Sequence, residues 1–239
     1  MLVLASASPR RLELLRGAGI SFVVQPADID ETPRTDESPR DCAVRLAREK
    51  ALAVSRARPT DYVLGADTIV AVDGAILGKP QHLDDAARML RLLSGRVHEV
   101  ITGVCVVRVA SSGQRSEGSE SVDTHTSRQL PVASQPTTQA GALLMSGDQL
   151  ATENRLLATA SETTLVTMRE LSDEEIRTYV ATGEPTDKAG AYAIQGGAAS
   201  WIPRIQGDYS NVVGLPVELV CRMLREMGVL ECNRPGINR

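Results

Sequence analysis

The chain has 239 residues, 42% of them hydrophobic, enough apolar material for one large or two small globular cores. A formal net charge of −4, no basic stripe, and only one tryptophan, four tyrosines and one phenylalanine argue against nucleic acid as a partner. No apolar run approaches the roughly 20 residues of a membrane span. Met1 leads into an apolar stretch without a signal-peptide pattern, and Cys42, Cys105, Cys221 and Cys232 lack CxxC spacing, so the expectation is a soluble cytoplasmic protein with reduced thiols.

Leu2 to Ala5 predicts a short apolar strand. Ser8 as N-cap and Pro9 at the first helical position then open a helix with apolar positions Leu12, Leu15 and Ala18, closed by Gly17 or Gly19. Arg10 and Arg11 in its first turn oppose the helix dipole, an odd choice for stability alone. Beside free backbone N–H groups, Ser6, Ser8 and the two guanidiniums suit an anion such as a triphosphate; the alternative is a solvated arginine pair. Ile20, Phe22 and Val24 alternate as a second strand and run into Asp28-Ile29-Asp30-Glu31. Three carboxylates in four residues are commonly just solvated, but beside phosphates they can hold a hard divalent cation. Ser38-Pro39, with Asp41 in a capping-box position, starts a helix whose apolar stripe is Ala43, Leu46, Ala47, Ala51 and Val54. Lys50 falls within that stripe, and either snorkels to the rim or points into a cleft.

Tyr62 to Pro80 is the most informative stretch. Val63, Leu64, Ile69, Val70 and Val72 predict a strand buried on both faces, Asp73-Gly74 a tight hairpin turn, and Ala75 to Leu77 the return strand. Asp67 sits in the middle of this strand, where an unpaired carboxylate would cost several kcal/mol. Either neighbouring backbone or an arginine satisfies it, or it is aimed into a cleft as a general base, a metal ligand or both. Gly65, Gly78 and Lys79-Pro80 favour the cleft, because strand glycines often mark close backbone approach to a ligand and a lysine fixed before proline suits phosphate.

Asp84 to Leu93 predicts a helix, and Arg96 to Val109 a long strand with His98, Val100 and Thr102 on one face. His98 is the sole plausible histidine base and ranks below Asp67, since nothing near it resembles a triad. From Ser111 to about Arg155 roughly half the residues are Ser, Thr, Gly or Gln, which predicts a disordered or loosely held insertion with a brief helical turn at Ala142 to Met145. Strand character resumes at about Thr159 to Met168, and the two flanking strands are expected to pair. Ser172 to Glu175 is a capping box for a helix carrying Ile176, Tyr179 and Val180. Gly183 to Gly197, rich in glycine beside Asp187, Lys188, Tyr192 and Gln195, suggests a ligand loop. Trp201 to Ile205 and Val212 to Val213 read as strands around a Gly207-Asp208 turn, Gly214 to Pro216 opens a last helix, and Cys232 to Arg239 is tail.

Composition and spacing thus predict an α/β domain gripping a phosphorylated ligand with a divalent metal, and do not choose a reaction. Leu4-Ala-Ser-Ala-Ser-Pro-Arg-Arg11, Arg45-Leu-Ala-Arg-Glu-Lys50, Gly65-Ala-Asp-Thr68, Gly78-Lys-Pro80, Leu93-Ser-Gly95, Asp187 to Gly196 and Gly207 to Pro216 together resemble the Maf family of nucleoside-triphosphate pyrophosphatases. The resemblance implies one α/β domain over residues 1–231, interrupted at about 111–155, with an elongated mixed twisted sheet flanked by helices and a cleft between two lobes. It implies hydrolysis between the α and β phosphates with Mg²⁺, Mn²⁺ or Co²⁺, in a homodimer without nucleic-acid or membrane partners. Asp67 would be the proton acceptor, Glu31 and Asp67 the metal ligands, and Ser6, Arg10, Arg11, Lys50, Lys79 and Gln195 the substrate contacts. Arg10, Thr68 and Gln195 resemble the dTTP/UTP branch, where the 7-methyl-GTP branch carries Trp, Gln and Glu. The alternatives are a non-catalytic nucleotide-binding regulator of septum formation and a pyrophosphatase of inosine or xanthosine triphosphates or of 7-methyl-GTP.

Overall fold

The structure, a computed structural model, describes residues 1–109 and 155–230. The low-complexity segment that begins at Ser111, with its expected turn at Ala142 to Met145, and the tail from Cys232 lie outside the described residues; Arg155 begins a strand.

In chain order the elements are β1 (Leu2–Leu4), α1 (Pro9–Gly17), β2 (Val23–Val24), α2 (Pro39–Ser55), β3 (Tyr62–Val72), β4 (Ala75–Leu77), α3 (Leu83–Leu93) and β5 (Val97–Val109). They continue with β6 (Arg155–Thr167), α4 (Asp173–Ala181), β7 (Arg204–Gln206), α5 (Tyr209–Val213) and α6 (Val217–Glu226). All strands of the described residues join one seven-stranded mixed sheet in the order β2-β1-β3-β5-β6-β7, with β4 also on β3. β1 runs parallel to β2 and β3, and the remaining pairs are antiparallel. This is the expected α/β architecture.

Local chemistry accounts for the elements. Asp73 (φ 51°) and Gly74 (φ 79°) supply the two positive angles that a two-residue hairpin needs, so β3 folds straight back into β4. The Ser38 hydroxyl accepts from Asp41 N and starts α2; Ser172 and Glu175 complete the capping box of α4. β5 and β6 pair across the intervening segment, residue for residue from Val97–Thr167 to Val109–Arg155.

The side chains of β3 alternate between two layers. Odd positions face α2, where Val63 packs with Ala47, Ala51 and Val54, and Ile69 packs with Ala43 and Leu46. Even positions face a layer with two apolar clusters: Leu64 and Ala66 pack with α6, while Val70 and Val72 pack with α3, α4 and Trp201. Between these clusters lies a polar seam of Thr68, Thr102, Thr164 and Asn211, the last three completely buried.

α2 lies unusually close to the sheet because Gly65 and Gly103 present no side chain to it. A Cβ on Gly65 would stand 2.1 Å from the Ala47 carbonyl oxygen, and one on Gly103 2.2 Å from that of Ala43. The two glycines set how closely the helix docks, so the close approach expected of a ligand at Gly65 is made by α2 instead.

Four expectations need correction. Val212 and Val213 belong to helix α5, because the Asp208 side chain accepts from Ser210 N at 2.7 Å and Gly214 (φ 130°) stops the turn; local capping outweighs β propensity. The strand expected over Trp201 to Ile205 is confined to Arg204–Gln206, since Gly197–Trp201 is a 3₁₀ turn that buries Trp201 edge-on against Tyr179. The strand expected from Ile20 shrinks to Val23–Val24, because Ile20 N instead donates to Leu15 O and closes α1 behind Gly19 (φ 71°). Ser8 precedes Pro9 as predicted but makes no side-chain cap bond; its own N–H donates to Ser6 Oγ.

Candidate active site

The sheet provides the opening. β1 pairs with β3 only as far as Leu64, and β4 pairs only from Val70, so among the described residues no strand covers that edge of β3 in between. Ala5 N donates to Leu64 O at 2.8 Å, which shows that even positions turn their main-chain groups to this edge. Odd positions, Asp67 among them, bond to β5, where Asp67 stands opposite Gly103.

Asp67 is 8% exposed and Lys50, from α2, 6%. Lys50 Nζ donates to Asp67 Oδ1 at 2.5 Å and lies 2.7 Å from Glu31 Oε1. Of the two readings of Lys50, the structure thus selects the one that points inward. Lys79, just past β4, is 3.6 Å from Glu31 Oε2 and largely exposed, so the cluster runs from a buried acid to an open mouth. The Glu31 loop is tied down by Arg45, which binds Thr32 O at 3.2 Å and pairs with Glu37 at 2.6 Å. Asp30 spends its carboxylate on Thr32 N and Oγ1, leaving Glu31 as the acid that reaches the cleft. Desolvation would raise the Glu31 carboxyl; the Lys50 hydrogen bond and the Lys50, Lys79 and Arg11 charges outweigh it and hold it below the ordinary range.

Arg11 is turned inward rather than toward solvent. Its Nε donates to Gly214 O (2.8 Å), Nη1 to Ser6 Oγ (3.2 Å) and Nη2 to Thr68 Oγ1 (3.0 Å). Burial pulls its pKa below the usual value, against the opposing pull of the Asp67 and Glu31 charges. Arg10 is half-buried and close enough to act electrostatically on Arg11 and on Asp187. Gln195 is exposed, and among the described residues makes no hydrogen bond to the other candidates. The structure therefore brings Ser6, Arg11, Glu31, Lys50, Asp67, Thr68 and Lys79 together, with Arg10 at their edge, and does not join Gln195 to them by a hydrogen bond.

Among the described residues no group of three or more His, Cys, Asp or Glu side chains is placed to hold a metal. Glu31 and Asp67 nonetheless converge on one ammonium group, two hard oxygen donors facing an opening. That set fits a cation of the Mg²⁺ class, which takes one or two carboxylates and completes its shell from water and phosphate.

His98 lies elsewhere. It is buried at the α3–α4 end of the sheet, its Nε2 2.6 Å from Tyr192 Oη, and desolvation pushes its pKa down to about 4. Between pH 6.5, its ordinary value, and pH 4 the unfolded chain holds a proton there that the folded chain refuses. Stability is thus full above about 6.5 and falls as pH drops to about 4, by up to roughly 3 kcal/mol from this group. Urea unfolding at pH 7 and pH 4.5 checks this: His98→Gln is expected to lose less stability than wild type over the interval, and equal losses would refute it.

Sequence reasoning does not single out Thr102, Asn211 or Gly214, which build the wall behind Arg11 and Thr68. The available signal is weak: hydroxyl residues at even positions of otherwise apolar strands, and an asparagine in the Gly207 to Pro216 segment.

A family model described as "Maf-like protein" matches residues 1–150 and, in a second match, residues 128–227. This chain belongs to the Maf-like family. Curated relatives called "dTTP/UTP pyrophosphatase" resemble it over most of their length. That from Koribacter versatilis is 46% identical over 229 residues, covering 96% of this chain and 95% of the relative. Those from Geobacter metallireducens and Symbiobacterium thermophilum are each 44% identical, covering 96% and 95% of this chain and 97% and 94% of themselves. In this Maf-like chain no described helix is long and apolar enough to cross a membrane.

Proposed function

We propose that the protein hydrolyses dTTP and UTP to the nucleoside monophosphate and pyrophosphate. The observation that carries this reading is the buried Asp67–Lys50 pair at the base of an opening that also holds Glu31, Lys79 and Arg11. Curated relatives named for the same activity support it.

Lys50 occupies Oδ1 of Asp67, which leaves Oδ2 to accept the proton of an attacking water. The water oxygen bonds to the α-phosphorus, the bond from that phosphorus to the α–β bridging oxygen breaks, and pyrophosphate departs. Little covalent chemistry is asked of the protein, so positioning and charge neutralisation do most of the work. Lys50 and Lys79 stabilise charge on the departing phosphates, while Arg10, Arg11 and Ser6 orient the triphosphate. Glu31 and Asp67 hold the divalent cation, Mg²⁺, Mn²⁺ or Co²⁺, which supplies charge neutralisation to the phosphate oxygens when bound. Arg10, Thr68 and Gln195 mark the pyrimidine branch, and the Gln195 amide, both donor and acceptor, suits the edge of uracil or thymine. The enzyme works as a cytoplasmic homodimer, with one catalytic domain over residues 1–231, a low-complexity interruption at about 111–155 and a tail at 232–239.

A pyrophosphate-release panel over dTTP, UTP, CTP, ITP and 7-methyl-GTP, with Mg²⁺ or Mn²⁺, tests the proposal. The expected result is highest turnover on dTTP and UTP; activity on purine nucleotides alone would remove the branch assignment, and binding without turnover would favour a regulator.

A further inference from the structure

The hydroxyl of Thr68 is surrounded by protein partners. Arg11 Nη2 can only donate to it (3.0 Å), the Gly214 carbonyl can only accept from it (3.2 Å), and Thr102 Oγ1 is 2.9 Å away. A threonine hydroxyl has one proton and two lone pairs. Among the described residues Thr102 has one other acceptor, Asn211 O, at the longer distance of 3.4 Å. The shorter chain therefore runs from Thr102 to Thr68 to Gly214 O, with Arg11 filling the last lone pair. If the pair runs the other way, the Thr68 proton goes to Thr102. In both cases it is spent inside the protein.

From this geometry we infer that Thr68 governs the reaction through what it holds rather than by touching the nucleobase, and that Thr102 is a positioning residue of the same device. The inference rests on the pyrophosphatase reading and deepens it. Thr102 is completely buried on β5, directly opposite Thr68 in the register. Behind it the Asn211 amide donates to Val100 O and to Thr164 Oγ1, both at 2.9 Å, and so fixes α5 and the Gly214 carbonyl that follows it. That carbonyl receives Arg11 Nε. The guanidinium, which lies near enough to feel the charge of Asp67, is thus aimed by a hydrogen-bonded seam reaching from β6 to α1, and none of Thr102, Thr164 or Asn211 needs to meet the substrate.

Thr102→Val keeps shape and removes the hydroxyl. It is expected to lower kcat for dTTP and UTP alike by about tenfold, the equivalent of one buried hydrogen bond, with KM and the dTTP-to-CTP ratio unchanged. Thr102→Ser restores the rate. Thr68→Val gives the same loss, and the double variant is no worse than either single one. The Arg11 Nε–H resonance, slowly exchanging in the wild type and in Thr102→Ser, exchanges fast in Thr102→Val. Wild-type kinetics in Thr102→Val, multiplying losses, or a changed base ratio in Thr68→Val alone would each overturn the inference. Should the wild type turn over no triphosphate, the pyrophosphatase reading falls while the Arg11 resonance still decides the seam.

Discussion

Asp67→Asn is expected to lower kcat for dTTP and UTP by at least about a hundredfold, the usual worth of a positioned general base. Asparagine keeps the shape and the contact with Lys50 but cannot take up a proton at its amide. Binding should survive, because the substitution removes a negative charge from a site in which Lys50, Lys79, Arg10 and Arg11 outnumber the remaining acid, Glu31. Calorimetric titration with a non-hydrolysable dUTP analogue, beside pyrophosphate release, separates the two effects. Equal turnover in wild type and variant would take the reactive role from Asp67; lost binding with unchanged kcat would make it a substrate anchor.

Gly65→Ala is expected to cost about 3 kcal/mol of stability, at the upper end of what overpacking a core costs. The new Cβ would meet Ala47 O at 2.1 Å, Ala51 N at 2.8 Å and Ala51 Cβ at 3.0 Å. Two of these are main-chain atoms of α2, so no side-chain rotation relieves the clash and the helix must lift. Lys50 rides on that helix, so activity falls with stability. Gly17→Ala is the control: nothing lies within 4 Å of the methyl group it would gain, and alanine is the better helix former. Denaturant midpoints for the two variants check the pair of expectations, and a Gly65→Ala protein as stable as Gly17→Ala would sink the close-docking account.

These two positions also show what was legible in the sequence. Asp67 announces itself because a lone carboxylate interrupts a β-forming run, and Asp73-Gly74 fixes the hairpin within a few residues of it. The Ser38 cap of α2, the capping box of α4 and the apolar stripe of α2 are equally local and are found, although Asp41 does not close the box at α2: its carboxylate takes the Ser38 hydroxyl rather than the Ser38 N–H. Val212 and Val213 mislead because β-branched composition speaks for a strand while a single aspartate cap and a glycine stop decide for a helix turn. Arg11 reads as a surface anion contact, yet three partners spread from Ser6 to Gly214 draw it inward, a spacing no local pattern reveals. The same holds for Thr102 and Asn211, whose importance exists only once β5, β6 and α5 are folded together. The expectations for the segment after Ser111 fall outside the described residues.

The interrupted edge of β3 has a mechanical consequence. Asp67 anchors its own peptide groups to β5, on the far side from the mouth, whereas the lips of that mouth are the separate chain segments following β1 and following β4. The lips can therefore breathe to admit and discharge a bulky polyanion while the acid beneath them keeps its aim, so gating and accuracy need not be traded against each other.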